Sequence, residues 1–133
     1  MKTLYILRGI PGSGKSTYAK RFIELYTNLF HATAIKCSAD DFFIDKHGVY
    51  KFDATKLYAA HRQCQHKAAT AMRQGIDLVI IDNTNTTDKE MRPYIDIAKE
   101  NGYAVRVKLI GNNDEDFINL CATEISMAYQ KNQ

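Results

Sequence analysis

The sequence predicts an α/β fold of three layers, a short parallel sheet of about four strands covered by helices on both faces. Short apolar runs alternate along the chain with stripes of helical period. A glycine-rich stretch, Gly9 to Ser16, lies between the first such run and the first such stripe. Further on, Leu78-Val79-Ile80-Ile81 is continuously apolar and ends on Asp82, the pattern of a parallel strand buried on both faces.

The elements follow in order. Thr3 to Leu7 reads as a buried strand, and Gly14 to about Tyr26 as a helix with Ala19, Phe22, Ile23 and Tyr26 on one face. A weaker strand at Thr33 to Cys37 leads into Ser38-Ala39-Asp40-Asp41, and the polar stretch around His47-Gly48 reads as a loop. The longest helix is expected from about Asp53, a capping residue, to Arg73, with Leu57, Ala60, His61, Cys64, Ala68, Ala71 and Met72 on its apolar face and Gly75 past its end. Leu78 to Ile81 is the central strand. Thr87 or Asp88 caps a helix that Asn101-Gly102 stops, Tyr103 to Ile110 is a fourth strand, and a last helix begins near Asp114 with Ile118, Cys121, Ile125 and Ala128 inward. Strands alternating with helices imply right-handed crossovers, with ligands at the carboxyl ends of the strands.

Bulk properties narrow the classes. With 133 residues, 45% of them hydrophobic, one core and a single domain over residues 1–133 are expected. A net charge of +3 is as compatible with a nucleotide partner as with a solvated surface. The apolar N-terminus is interrupted at once by Arg8 and glycines, and no run approaches membrane length, so no membrane association and a cytoplasmic location are expected. Cys37, Cys64 and Cys121 are odd in number and widely spaced, and His31, His47, His61 and His66 lack ligand spacing. These patterns predict neither a disulfide framework nor a structural metal, and they assign the histidines to surface or packing.

Gly9-Ile10-Pro11-Gly12-Ser13-Gly14-Lys15-Ser16 fits the P-loop pattern G-x-x-x-x-G-K-[ST] in its required strand-to-helix context. Such a loop turns successive backbone N–H groups inward around a phosphate, in conformations that a Cβ opposes. Gly9, Pro11, Gly12, Ser13, Gly14, Lys15, Ser16 and Thr17 are therefore the candidate ATP-binding residues. Lys15 reaches the β- and γ-phosphates, the Ser16 hydroxyl ligates Mg²⁺, and the helix dipole faces the phosphates. Asp82 emerges beside this loop and is the second candidate metal ligand, although Asp82-Asn83-Thr84-Asn85 crowds four polar residues there and the residues alone do not choose among them. Asp40 and Asp41 follow the other strand, where one carboxylate would accept the proton of an attacking hydroxyl.

Taken together, G-I-P-G-S-G-K-S, S-A-D-D-F-F and I-I-D-N-T-N followed by M-R-P-Y resemble the polynucleotide 5′-hydroxyl kinase branch of the P-loop kinases. That branch includes the kinase-like domains of ubiquitin-ligase-binding proteins, and the likeness extends over residues 3 to 110. The resemblance implies a nucleoside-kinase-like P-loop NTPase fold with strand order 2-3-1-4. It also implies ATP and Mg²⁺ as cofactors and γ-phosphoryl transfer to a hydroxyl acceptor: a polynucleotide 5′ end, a nucleotide or a small molecule. It makes Asp40 the general base and Asp41, Thr84 and Asn85 acceptor-binding residues, with Arg92 as a candidate for acceptor phosphate.

The chain also departs from the pattern. The family's acidic residue before Thr-Asn falls one place earlier here, on Asp82. Phe43 stands where phage enzymes carry an arginine, and Phe42 and Phe43 serve either as a stacking platform or as core. No arginine follows Arg106, so the family's lid arginine is absent, leaving Arg62, Arg73 and Arg92 as substitutes. A weak or inactive ATP-binding regulatory module is the alternative this raises.

Overall fold

Strand β1 (Thr3–Arg8) is flanked on both sides in the computed structural model, which describes residues 2–10, 12–85 and 87–111. The edge strands are β2 (Ala34–Cys37) and β4 (Ala104–Leu109), and β3 (Leu78–Asp82) lies between β2 and β1, so the parallel order is β2-β3-β1-β4. This is the expected order 2-3-1-4, with β1 and β3 sharing the centre. Their register pairs Thr3 with Leu78 and Leu7 with Asp82, while Cys37 pairs with Ile81. The carboxyl ends of β1, β2 and β3 thus finish level with one another.

Alternation along the two central strands builds a core on each face. Leu4, Ile6, Val79 and Ile81 pack with Cys64, Met72 and Tyr94, whereas Tyr5, Leu7, Leu78 and Ile80 pack with Tyr18, Phe22 and Tyr26. Helix α1 (Lys15–Phe30) covers the second face, and α2 (Leu57–Gln74) and α3 (Asp88–Glu100) cover the first. Both faces of β3 are buried, which is why its sequence is apolar without alternation.

Helix boundaries follow capping chemistry. Thr87 caps α3, its hydroxyl accepting from the Glu90 N–H, and Gly75, at φ 80, closes α2. Two expectations need correction. Helix α1 continues past Tyr26 to Phe30, because Thr27 bonds back to the Ile23 carbonyl at 2.7 Å and the left-handed stop comes only at His31. The long helix does not start at Asp53: its carboxylate accepts the Thr55 N–H at 3.0 Å and caps a 3₁₀ turn (Ala54–Lys56), after which α2 begins. The expected apolar stripe holds at Ala60, Cys64, Ala68, Ala71 and Met72, whereas Leu57, at the first position of α2, is 41% exposed instead of in the core. The helix expected from Asp114 lies outside the described residues. Among the described residues no helix is long and apolar enough to cross a membrane.

Candidate active site

Four chain segments meet at the carboxyl edge of the sheet around a cavity of about 570 Å³. Gly12, Gly14, Lys15, Ser16 and Thr17 line it from the P-loop and the start of α1, and Asp82, Asn83 and Thr84 line it from the end of β3. Ala39, Asp40 and Phe43 come from a 3₁₀ turn (Ala39–Phe43) after β2, and Leu57 and His61 from α2.

The P-loop takes its shape from glycine at two points. Gly9 approaches its neighbours so closely that a Cβ would sit 2.6 Å from Ser13 Oγ and 3.0 Å from the Ile110 carbonyl oxygen. Gly14, at φ 95, turns the chain into α1 in the left-handed region, and no side chain caps that helix. Its first-turn N–H groups and positive dipole end therefore meet the cavity without a protein carboxylate to satisfy them. Lys15 is 8% exposed, and its Nζ donates to the Ile10 carbonyl at 3.2 Å across the loop.

Ser16 Oγ donates to Asp82 Oδ2 at 2.8 Å, and Lys36 Nζ stands 4.0 Å from the same oxygen. Asp82 is 5% exposed, so these partners hold a carboxylate that burial alone would disfavour. The Ser16 and Asp82 oxygens are hard donors at bonding distance from each other, a set that fits Mg²⁺.

Asp40 is positioned from two sides. The Ser38 hydroxyl accepts the Asp40 N–H at 3.3 Å, and Asn83 Oδ1 accepts the Ala39 N–H at 2.8 Å, tying the turn to the end of β3. Asp40 Oδ1 accepts the Tyr50 hydroxyl at 3.5 Å, and Tyr50's own titration is pushed up by desolvation and by that carboxylate. Asn83 Nδ2 in turn donates to Tyr94 Oη at 3.4 Å and to Cys64 Sγ at 3.6 Å. Burial pushes the Cys64 thiol and the Tyr94 phenol up, and raises Cys37 from 9.0 to about 12, so this layer beneath Asp40 is neutral.

The structure brings Gly12, Gly14, Lys15, Ser16, Thr17, Asp40, Asp82 and Thr84 together around one cavity and sets the other candidates elsewhere. Gly9 and Ser13 lie behind the loop, and Ser13 Oγ is buried with no hydrogen-bond partner among the described residues. Pro11 lies outside the described residues. Asn85, expected to bind the acceptor, is 1% exposed and serves the fold: its amide donates to the Leu7 carbonyl at 2.8 Å, and its own carbonyl accepts Arg8 Nε at 2.7 Å. Asp41 turns from the cavity toward Lys67, 3.9 Å away. Arg92 is exposed on α3, Arg62 lies over the Tyr58 ring, and Arg73 is in the last turn of α2; none of the three lines the cavity. Sequence reasoning missed Asn83 as the tie between two loops, and missed Leu57 and His61 as cavity wall. The imidazole interrupting an apolar stripe was the available signal.

Residues 4–116 match the family model described as AAA domain. The chain belongs to the AAA domain family. This AAA domain is 38% identical over 102 residues to NEDD4-binding protein 2 of Homo sapiens, an alignment covering 77% of the chain and 5% of that protein. It is 32% identical over 104 residues to 2′,3′-cyclic-nucleotide 3′-phosphodiesterase of Mus musculus, covering 78% of the chain and 23% of that protein. The AAA domain thus spans a small part of the length of both relatives. In structure it is similar to the Mycobacterium tuberculosis APS kinase CysC Cys556Ala mutant, with a TM-score of 0.70 over 96% of this chain and 97% of that one at 14% identity. A structure of that kinase in complex with AMPPNP and APS aligns at a TM-score of 0.58, 16% identity, covering 81% of this chain and 61% of that one. The fold is that of a P-loop kinase-like domain.

Proposed function

We propose that this domain is an ATP-dependent kinase that moves the γ-phosphoryl group to a hydroxyl acceptor, a polynucleotide 5′-hydroxyl end or a nucleotide. The observation that carries this reading is the shared cavity: Lys15, the Ser16–Asp82 pair and the Asp40 carboxylate line the same 570 Å³ space. The complex of the similar APS kinase with AMPPNP supports ATP as donor. The uncapped α1 N-terminus and Gly12 to Thr17 would bind the β- and γ-phosphates, with Lys15 leaving the Ile10 carbonyl for them. Ser16 and Asp82 would hold Mg²⁺, which when bound offsets phosphate charge. Asp40 takes the proton of the acceptor hydroxyl while the acceptor oxygen bonds to the γ-phosphorus and the bond from that phosphorus to the bridging oxygen breaks, releasing ADP. Asp41, Asn85 and Arg92 have no part in this scheme, and Thr84 borders the acceptor.

The test is transfer of labelled γ-phosphate from ATP-Mg²⁺ to 5′-hydroxyl DNA and RNA, nucleosides and nucleoside monophosphates, with Asp40→Asn alongside. Wild-type transfer to one acceptor, lowered about 10²- to 10⁴-fold in the variant with AMPPNP affinity retained, is the expected result. The lack of any arginine after Arg106 favours a second reading, an ATP-binding module that regulates a partner. Tight AMPPNP binding without transfer to any acceptor would select that reading.

A further inference from the structure

The cavity has two unlike walls. Lys15 and Gly12, on the α1 side of the sheet, and Asp82 form a polar wall suited to phosphates and metal; Phe43, Leu57 and His61 line the cavity from the α2 side. Resting on the kinase reading, we propose that His61 is an acceptor-binding residue, its imidazole hydrogen-bonding the sugar that carries the hydroxyl offered to Asp40.

Helix geometry aims His61 there. Ala60, Cys64 and Ala68 bury one stripe of α2 in the core, while Leu57 and His61, four residues apart, share the adjacent stripe that meets the cavity. The next stripe, Tyr58 and Arg62, is engaged in its own contact, with the guanidinium carbon 5.9 Å from the ring centroid. One turn beyond His61, Cys64 Sγ accepts from Asn83, whose Oδ1 holds the backbone next to Asp40. His61 therefore stands on the Asp40 side of the cavity, one turn from the junction that fixes the carboxylate.

The chemistry of this wall fits a sugar. The His61 imidazole is half-buried and makes no hydrogen bond, ion pair or ring contact among the described residues, so its donor and acceptor nitrogens are open to a ligand. Leu57 beside it presents apolar surface, whereas Phe43, 5% exposed, backs the wall from the core. A furanose has both complements, a C–H face for the leucine, and hydroxyl and ring oxygens for an imidazole. Phosphate groups are served by the opposite wall.

Binding, not turnover, tests this. Protein labelled with ¹³C at histidine Cε1 is titrated with thymidine or adenosine in the presence of AMPPNP and Mg²⁺, the His61 resonance being assigned by its loss in His61→Gln. AMPPNP-Mg²⁺ alone should leave that resonance in place, and a nucleoside should shift it saturably. His61→Leu should weaken nucleoside binding about tenfold, with His61→Gln recovering part of the loss and AMPPNP affinity unchanged in both. A resonance that moves with AMPPNP-Mg²⁺ alone, one that no nucleoside moves, or His61→Leu binding nucleoside as the wild type does would overturn the assignment. Failure of phosphoryl transfer with these shifts intact would instead remove only the kinase reading.

Discussion

The two walls of the cavity are built by different means. The P-loop wall is held by backbone geometry: Gly9 N–H donates to the Thr84 carbonyl at 3.2 Å, Ser13 N–H to Ile10 at 3.1 Å, and the loop is anchored between the buried β1 and α1. The opposite wall comes from side chains, Leu57 and His61 on α2 and Phe43 in the 3₁₀ turn, which a short exposed hairpin follows. There Asp45 Oδ1 accepts the His47 and Val49 N–H groups at 2.8 and 3.0 Å, and Lys51 N–H donates to the Phe43 carbonyl at 2.8 Å, while Val49, Tyr50 and Phe52 are half exposed. A wall made of main-chain groups suits a ligand part that never varies. Side chains outside the core, such as Leu57 and His61, can change with the acceptor without disturbing the fold.

Breaking the phosphate wall alone carries the largest expected stability effect. Gly9→Ala pushes a Cβ against Ser13 Oγ and the Ile110 carbonyl. It is expected to cost about 3 kcal/mol and to abolish AMPPNP binding while the hairpin keeps its structure. Urea unfolding and calorimetric titration of AMPPNP check both halves of that statement.

Asn83 joins the walls, so its loss blurs the distinction between them. Asn83→Ala leaves the Ala39 N–H without its acceptor and is expected to cost about 2 kcal/mol. Phosphoryl transfer should fall more than AMPPNP affinity does. Equal losses in the two measurements would mean that Asn83 supports the fold and not the placement of Asp40.

The smallest effect sharpens the comparison from beneath. Cys37 titrates at about 12 when folded against 9.0 ordinarily, so its neutral thiol supports the fold below pH 9 and that support is lost as pH rises toward 12. A loss of about 1 kcal/mol is expected one pH unit above 9. Cys37→Ala should flatten this part of the curve in urea melts at stepped pH.

Legibility in the sequence followed how local each feature is. The P-loop could be read because its glycines, Lys15 and Ser16 act within one turn of chain, and β3 because both its faces are buried. Asp82 was readable as the polar end of that strand. Asn85 was not: it looks like a ligand-binding amide until Leu7, 78 residues away in the chain, supplies its partner. Asp40 and Asp41 are neighbours of identical chemistry, and only the 3₁₀ turn sends one to the cavity and the other to Lys67. For Leu57 and His61 the helical period and phase were right, as the burial of Ala60, Cys64, Ala68, Ala71 and Met72 shows, but both stand where α2 meets the cavity instead of the core.

By itself the sequence determined the alternation of strands and helices, the phosphate loop and the apolar identity of the central strands, because backbone conformation and side-chain periodicity are demands that adjacent residues satisfy among themselves. Tertiary structure alone decided that Asn83 bridges two loops, that Asn85 is buried and that His61 lines the same cavity as Asp40. Each of those outcomes depends on which distant segment packs alongside, and a buried polar group takes its role from the partner that packing supplies.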